Sequence, residues 1–485
     1  MIDWLALPIS IPLLGAVLAT AFPSRSSPIG LTTALLAAAA ALIAGVLVAE
    51  VGPLRSDLGG WGAPLGISLQ ADGLSAALLA MANLVSLGIS VYALWYFPAG
   101  SRRHFWPLWL LLWTALNGLF LAADLFNLYV TLELLGIAAA ALGALTGGRD
   151  AVEANLRYLL VGLLGSMTYL LGVALLYTGL GTLDLGLAAQ SLTAGPLAWI
   201  SLALMLGGLL LKAALFPLHF WLPPAHAQAP APVSAALSAL VVKAAFYLVL
   251  RLWVELFGPV AGSGAASLLG ALGAAGVVWG SWRAFRAERL KLLAAYSTVA
   301  QVGYLFLFFP LMAASQLPRQ PELLGALVLL ALTHGFAKAG LFLSAGLLQK
   351  TAGHDRIAEL GPALRALPAV ALAVGLAGVA LIGLPPSGTF VAKWILLAES
   401  LRSGQWWWVP VVLLGTLLAS GYVYRLLASA FGPGAQPVAG GGPAEAPAPI
   451  GRAIQTPALI MTLIAVVLLG LGAEPLWGLM SGSPP

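Results

Sequence analysis

One feature constrains this chain more than any other. An apolar stretch of about 20 residues, long enough to cross a bilayer as a helix, recurs from residue 2 to residue 480 with only short polar interruptions. Hydrophobic residues make up 61% of the sequence and charged residues 8%, too little polar surface to cover a soluble domain. The fold class expected is therefore an all-α polytopic membrane protein. The net charge of +5 comes from basic residues scattered through short loops, which is not the clustered pattern of a nucleic-acid binder. There is no cysteine, so disulfides, thiolate-bound iron–sulfur clusters and covalent haem have no attachment point. No P-loop or dinucleotide fingerprint occurs. No cofactor is expected, and the chain carries no catalytic centre of its own.

Applying the length rule gives about fourteen spans, near 2–22, 28–50, 72–97, 105–123, 125–146, 155–178, 196–219, 231–257, 264–284, 290–314, 322–349, 366–402, 406–431 and 454–480. The start lacks a basic region and carries Asp3, so it is expected as a first span rather than a cleaved signal. Spans 4 and 5 are separated only by Ala122-Ala123-Asp124, and the stretch 432–452, rich in Gly, Ala and Pro, is expected as a flexible loop before the last helix. Loops after odd-numbered spans hold 14 basic residues, among them Arg289 and Lys291; loops after even-numbered spans hold four, Arg55, Arg251, Arg319 and Arg402. The positive-inside rule then puts the odd loops in the cytoplasm and both termini outside a cell (inner) membrane.

Two spans are interrupted by proline. One runs Leu-Lys212-Ala-Ala-Leu-Phe-Pro217-Leu-His219-Phe-Trp-Leu-Pro-Pro-Ala-His226, the other Leu-Ile-Gly-Leu-Pro385-Pro386-Ser-Gly-Thr-Phe-Val-Ala-Lys393. A broken helix survives in a membrane only where protein or water covers the freed backbone, and paired breaks point to a transport site. The breaks are five spans apart, an odd number, so a repeated five-helix unit inserts upside down relative to its partner. This gives N-terminal helices at 1–104, one inverted repeat at 105–260 (helices 4–8), a second at 261–431 (helices 9–13), and a loop with the last helix at 432–485.

Four of the six lysines, Lys212, Lys243, Lys338 and Lys393, lie deep in apolar stretches, where each costs about 2.5–3.5 kcal/mol on insertion scales. The default reading is a buried path for protons or other cations. Glu133 is the carboxylate well inside an apolar helix, expected as a proton gate paired with Lys212 or as a structural ion-pair partner. His334 and Lys338 stand four residues apart on one helix face, which suits a relay step; a satisfied core histidine is the plainer alternative. Metal binding would need further donors at suitable spacing, and none is present. Lys393 is the expected terminal site. Glu399 is either part of it or an interfacial charge. Asp72 reads as a helix N-cap at least as readily as a transport residue. His219 and His226 line an access route or bond loop backbone. Trp406, Trp407 and Trp408 are expected as interface anchors.

Taken in order, Asp72-Gly-Leu-Ser75, the run Asp124-Leu-Phe-Asn-Leu-Tyr-Val-Thr-Leu-Glu133, Lys212 through His226, Lys243, Thr333-His334-Gly-Phe-Ala-Lys338-Ala-Gly-Leu-Phe, and Pro385-Pro386 before Lys393 resemble the antiporter-like subunits shared by Mrp-type cation/proton antiporters, respiratory complex I and membrane-bound hydrogenases. Leu58-Gly-Gly-Trp-Gly-Ala-Pro-Leu-Gly-Ile and the run into Glu133 look most like the D-type member of the Mrp antiporters. Pro385-Pro386-Ser-Gly-Thr-Phe departs from the family's usual Pro-Pro-Leu-Ser-Gly-Phe. The resemblance implies inverted five-helix repeats with helices 7 and 12 broken. It implies Glu133 and Lys212 as the pair of the first half-channel, Lys243 as connector, His334 and Lys338 as central relay and Lys393 as the terminal site. It also implies partner membrane subunits, with protons and Na+ as the transported ions. The chain ends soon after its last span, without the lateral helix or added domains of the larger members. A proton-pumping subunit of a redox complex, or a proton-coupling subunit of an uptake system, would use the same residues.

Overall fold

In the computed structural model, residues 3–315, 320–431 and 451–481 are described. Arg319 and the stretch 432–450, expected as loop, lie outside the described residues. The first part of the chain comprises α1 (Leu7–Ala21), α2 (Ser26–Val51), a hairpin of β1 (Leu54–Asp57) and β2 (Ser68–Ala71), α3 (Gly73–Tyr96), α4 (Ala99–Leu121), α5 (Leu125–Gly143) and α6 (Arg149–Leu180). There follow α7 (Leu185–Ser191), α8 (Pro196–Lys212), α9 (Leu222–Gln228), α10 (Ala231–Ala236), α11 (Val242–Leu252), α12 (Gly258–Arg286), α13 (Leu290–Phe306) and α14 (Phe308–Ala314). The remainder is α15 (Gln320–Ala352), α16 (Gly361–Ala366), α17 (Pro368–Ile382), α18 (Gly388–Arg402), α19 (Trp408–Phe431), α20 (Arg452–Leu463), α21 (Leu469–Leu471) and α22 (Glu474–Ser481).

Among the described residues, 10 helical segments are long and apolar enough to span a membrane, joined by shorter apolar helices at Leu7–Ala21, Pro196–Lys212 and Pro368–Ile382. The helical membrane fold expected from the sequence is present, with the β1–β2 hairpin as an addition to it. One segment, Ala231–Arg286, is 56 residues long; Gly262, at φ 70°, divides it where two spans are expected. Both proline interruptions break their helices. α8 stops at Lys212 and the chain resumes helix at Leu222; α17 stops at Ile382 and α18 starts at Gly388.

Burial sorts the helices. The most apolar stretches of Ala231–Arg286 and of α15 are wholly buried, while those of α6 and α19 are only a third buried. A helix apolar on every side belongs at the centre, and these two central elements carry Lys243, His334 and Lys338. Charged side chains at the centre are covered by protein rather than lipid, as their cost demands. α15 packs against α3, α13, α17, α18 and α20, and α6 lies along α8. That last approach is close: a Cβ added to Gly208 would collide with the Gly165 carbonyl oxygen, so two glycines let the backbones touch.

The division between α4 and α5 falls where expected. α4 ends at Leu121, and the Asp124 carboxylate accepts from Phe126 N at 3.0 Å and Asn127 N at 2.8 Å, capping α5. Burial pushes the Asp124 carboxyl up from its usual range against those hydrogen bonds. Of the three tryptophans expected as anchors, Trp406 and Trp407 are exposed, whereas Trp408 is buried and donates from Nε1 to Gln405 at 2.9 Å.

Candidate functional site

Glu133 and Lys212 form an ion pair, Nζ to Oε1 at 3.0 Å, with 15% and 8% of the respective side chains exposed. The pairing follows from where the two helices stop and start. Asp124 fixes the beginning of α5 and so the height of Glu133. α8 cannot run past Lys212, because Ala214 turns into positive φ (54°) and Pro217 follows. Lys212 is thus the last residue of its helix, where the carbonyl end of the dipole favours a cation; Nζ also donates to Leu132 O at 3.4 Å. Trp221 Nε1 satisfies the Leu211 carbonyl across the break at 2.9 Å. A cavity of about 20 Å³ adjoins the pair, lined by Gly136, Tyr158, Lys212 and Trp221 on one side and by Val241 and Ala245 on the other. That is room for one water, between Lys212 and the helix carrying Lys243.

Lys243 is completely buried, and its Nζ donates to Ser238 O at 2.5 Å. Residues Leu237–Val241 form a π turn ahead of it, a device that loosens helical carbonyls and recurs at functional sites. From there polar contacts lead onward. Ser238 Oγ and Thr298 Oγ1 are 2.8 Å apart, Thr298 donates to Ala294 O at 3.0 Å, and the same carbonyl accepts from Lys338 Nζ at 2.7 Å. Lys338 also donates to Ser297 Oγ. The two central ammonium groups are therefore connected through Ser238 and Thr298 hydroxyls and two backbone carbonyls, those of Ser238 and Ala294.

His334 lies on the Lys338 helix face, and its two ring nitrogens are buried without a hydrogen-bond partner. His226, stacked on Phe342 at 4.8 Å, has the same two unpartnered nitrogens. Buried polar atoms of this kind need a protein or water partner. Neither imidazole has a hydrogen-bond partner among the described residues. Lys393, just past the second break, donates to Ile382 O at 3.0 Å and Thr416 Oγ1 at 3.1 Å, with Nζ 4.1 Å from the Tyr304 ring centre. It occupies the carbonyl end of α17, as Lys212 occupies that of α8.

The secondary candidates divide. Asp72 caps α3 in a reciprocal arrangement with Ser75 and pairs with Arg251. Burial would raise its carboxyl, but Arg251 and the Ser75 hydrogen bonds outweigh this and hold it below the usual range. His219 is buried beside the first break, stacked on Phe216 at 5.5 Å, with Nδ1 unpartnered. Glu399 is buried in the last turn of α18, 7% exposed. Two residues assigned to loops are also buried. Arg251, 3% exposed, holds both Asp72 and Glu255, the latter at 2.8 Å. Lys291 is 4% exposed and reaches across to Ala229 O at 3.1 Å. Its position at the second residue of α13, directly before Leu-Leu-Ala-Ala, is the signal that separates it from exposed Arg289.

Residues 122–419, a stretch that takes in Glu133 and every buried lysine from Lys212 to Lys393, match the family described as "NADH:quinone oxidoreductase/Mrp antiporter, TM". The chain belongs to this family. The N-type subunit of the NADH-quinone oxidoreductase of Desulforudis audaxviator is 37% identical over 480 residues, covering 95% of this chain and 93% of the relative. The D-type subunit of the Na(+)/H(+) antiporter of Bacillus subtilis is 28% identical over 486 residues, covering 98% and 95%. Among solved structures, a chain of the Mrp complex from a Dietzia species superposes with a TM-score of 0.87 at 26% identity, covering 99% of this chain and 97% of that one. The protein is thus a multi-pass, antiporter-like membrane subunit of the kind found in Mrp or complex I-like assemblies.

Proposed function

We propose that this chain moves protons along Glu133, Lys212, Lys243, Lys338 with His334, and Lys393, as one membrane subunit of a larger complex. The single observation that carries the reading is the buried Glu133–Lys212 pair at 3.0 Å, which accompanies a series of buried lysines of which Lys243 and Lys338 are joined by polar contacts. Charges at this depth are costly, and such residues mark a functional site by default. Its chemistry is electrostatic: opening or closing the pair changes the field at the next ammonium, so an event in a neighbouring subunit drives a proton step here. His219 and His226 lie on the access side of the first break, and the two termini face outward by the loop-charge rule.

For the parent complex we infer an Mrp-type cation/proton antiporter with sodium as coupling ion, supported by the near full-length likeness to the Mrp complex chain. The 37% identity to the N-type subunit of an NADH-quinone oxidoreductase favours a second reading, a redox-driven proton pump. Gentle purification from native membranes with a subunit census and an absorbance spectrum separates them. A colourless complex of small membrane subunits, with sodium-driven proton flux in vesicles, supports the antiporter. A brown complex with flavin or iron–sulfur subunits overturns it.

A further inference from the structure

The turn between α12 and α13 holds more positive charge than the protein around it uses. Arg283, Arg286 and Arg289 line a cleft of about 530 Å³ there, together with Trp282, Glu288 and Tyr296. That volume is in the range of small-molecule sites. Two close helix approaches build it. A Cβ added to Gly280 would collide with Ala300 N and the Tyr296 carbonyl oxygen, and one added to Gly421 would collide with the Phe285 ring, so α12 lies tight against α13 and α19. The turn itself is pinned: Ile357 N donates to Glu288 O at 2.9 Å, and Leu290 N to Asp355 O at 2.8 Å.

The four arginines near this turn are of two kinds. Arg289 is spent on the Asp355 carboxylate at 2.8 Å, and Arg425 on the Phe285 and Ala287 carbonyls that end α12. Arg283 and Arg286, both exposed, pair with no carboxylate among the described residues. Rings hold them in place instead. The Arg283 guanidinium lies 4.8 Å from the Tyr296 ring centre and 5.8 Å from that of Trp279, and it donates to the Tyr296 hydroxyl at 3.0 Å. That of Arg286 lies 5.8 Å from the Trp282 ring centre. A guanidinium over a ring face keeps its N–H edge open to an oxyanion. With Arg289 neutralised by Asp355, the cleft sets two guanidinium charges against the single carboxylate of Glu288. One positive charge is left over, which a phosphodiester balances.

We propose that Arg283 and Arg286 hold the phosphate of an anionic phospholipid, with an acyl chain of that lipid against Trp279 and Trp282. Trp279, Arg283 and Arg286 recur at i, i+4 and i+7, and Trp282 precedes Arg286 by four residues, so indoles and guanidiniums share one side of α12. Both indoles are exposed. The cleft lies at the last residue of a membrane-spanning segment, the level at which tryptophan meets headgroups. Loop charge makes this the cytoplasmic side, where basic clefts between membrane helices take acidic headgroups. A free phosphate ion offers the same oxygens but leaves the indoles without a chain to cover them. The site is separate from the proton path, and either can fail without the other.

The test uses the intact complex, purified from native membranes in mild detergent, washed of loosely held lipid, and titrated with phosphatidylglycerol or phosphatidylcholine under native mass spectrometry. The wild-type complex should retain one phosphatidylglycerol more than the double variant Arg283→Gln, Arg286→Gln, and no extra phosphatidylcholine. Each single variant should weaken that lipid about fivefold, and the two together about twenty-five-fold, the scale of arginines at an anionic membrane surface. Arg283→Lys keeps the charge but loses the fork and should fall between wild type and Arg283→Gln. Arg402→Gln, at an exposed arginine ending α18, is the control and should bind as wild type does. Equal phosphatidylglycerol retention by wild type and the double variant overturns the site, as it would if another subunit covers the cleft. An equal loss in Arg402→Gln reduces the effect to overall charge and also overturns it. Displacement of the lipid by inorganic phosphate would make the occupant a free ion and overturn the lipid assignment.

Discussion

Glu133→Gln removes one charge from the buried pair while keeping its shape. At 3.0 Å and an effective dielectric constant of about 20, the attraction between the two groups is about 5 kcal/mol. Removing one partner of a buried pair costs about 3–5 kcal/mol, because the other charge loses its compensation. Glu133 keeps 15% of its side chain exposed, which puts the loss at the lower end. About 3 kcal/mol corresponds to about a 150-fold fall in a rate that needs the paired state. The assay is potential-driven proton flux in proteoliposomes of the intact complex, with assembly checked on native gels. Glu133→Asp, which retains the charge at a shorter reach, should recover part of the rate. A Glu133→Gln complex that assembles and transports within about threefold of wild type, a difference of under about 1 kcal/mol, would refute the claim that the pair gates the path.

The remaining predictions concern the supports of the path. Lys212→Ala and Lys393→Ala should each abolish coupled proton movement without preventing insertion, checked by flux and by membrane-fraction blots. Gly208→Ala should push α8 from α6 by crowding the Gly165 carbonyl, costing about 1–3 kcal/mol and lowering flux with every titratable group still present. Arg251→Leu strands the Asp72 and Glu255 carboxylates and should lower thermal stability by about 3–5 kcal/mol, measured by melting of the purified complex. Because the folded-state Asp72 carboxyl lies below its usual 3.8, its stabilisation is complete above that pH and is lost as pH falls through the lowered value. The melting temperatures of wild type and Asp72→Asn should therefore differ at neutral pH and converge below pH 3.8.

Much of the fold was legible in the sequence because the membrane makes the rules strict. Apolar length located the helices, proline located both breaks, and the expense of a mid-membrane charge picked out Glu133 and four lysines. Lys291 and Arg251 escaped for a common reason. Each lies within a turn or two of a span end, where sequence distance cannot tell a solvated loop charge from one folded inward onto Ala229 O or Asp72.

Lys243 offers the most direct test of the lysine path, since it is fully buried and stands between the Glu133–Lys212 pair and Lys338. Potential-driven proton flux would be compared between the wild-type complex and an equally assembled Lys243→Ala complex in the same vesicles. Measurable flux is expected in the first and background in the second. Undiminished flux without Lys243 would mean that protons cross by another route, and the lysine path would have to be abandoned.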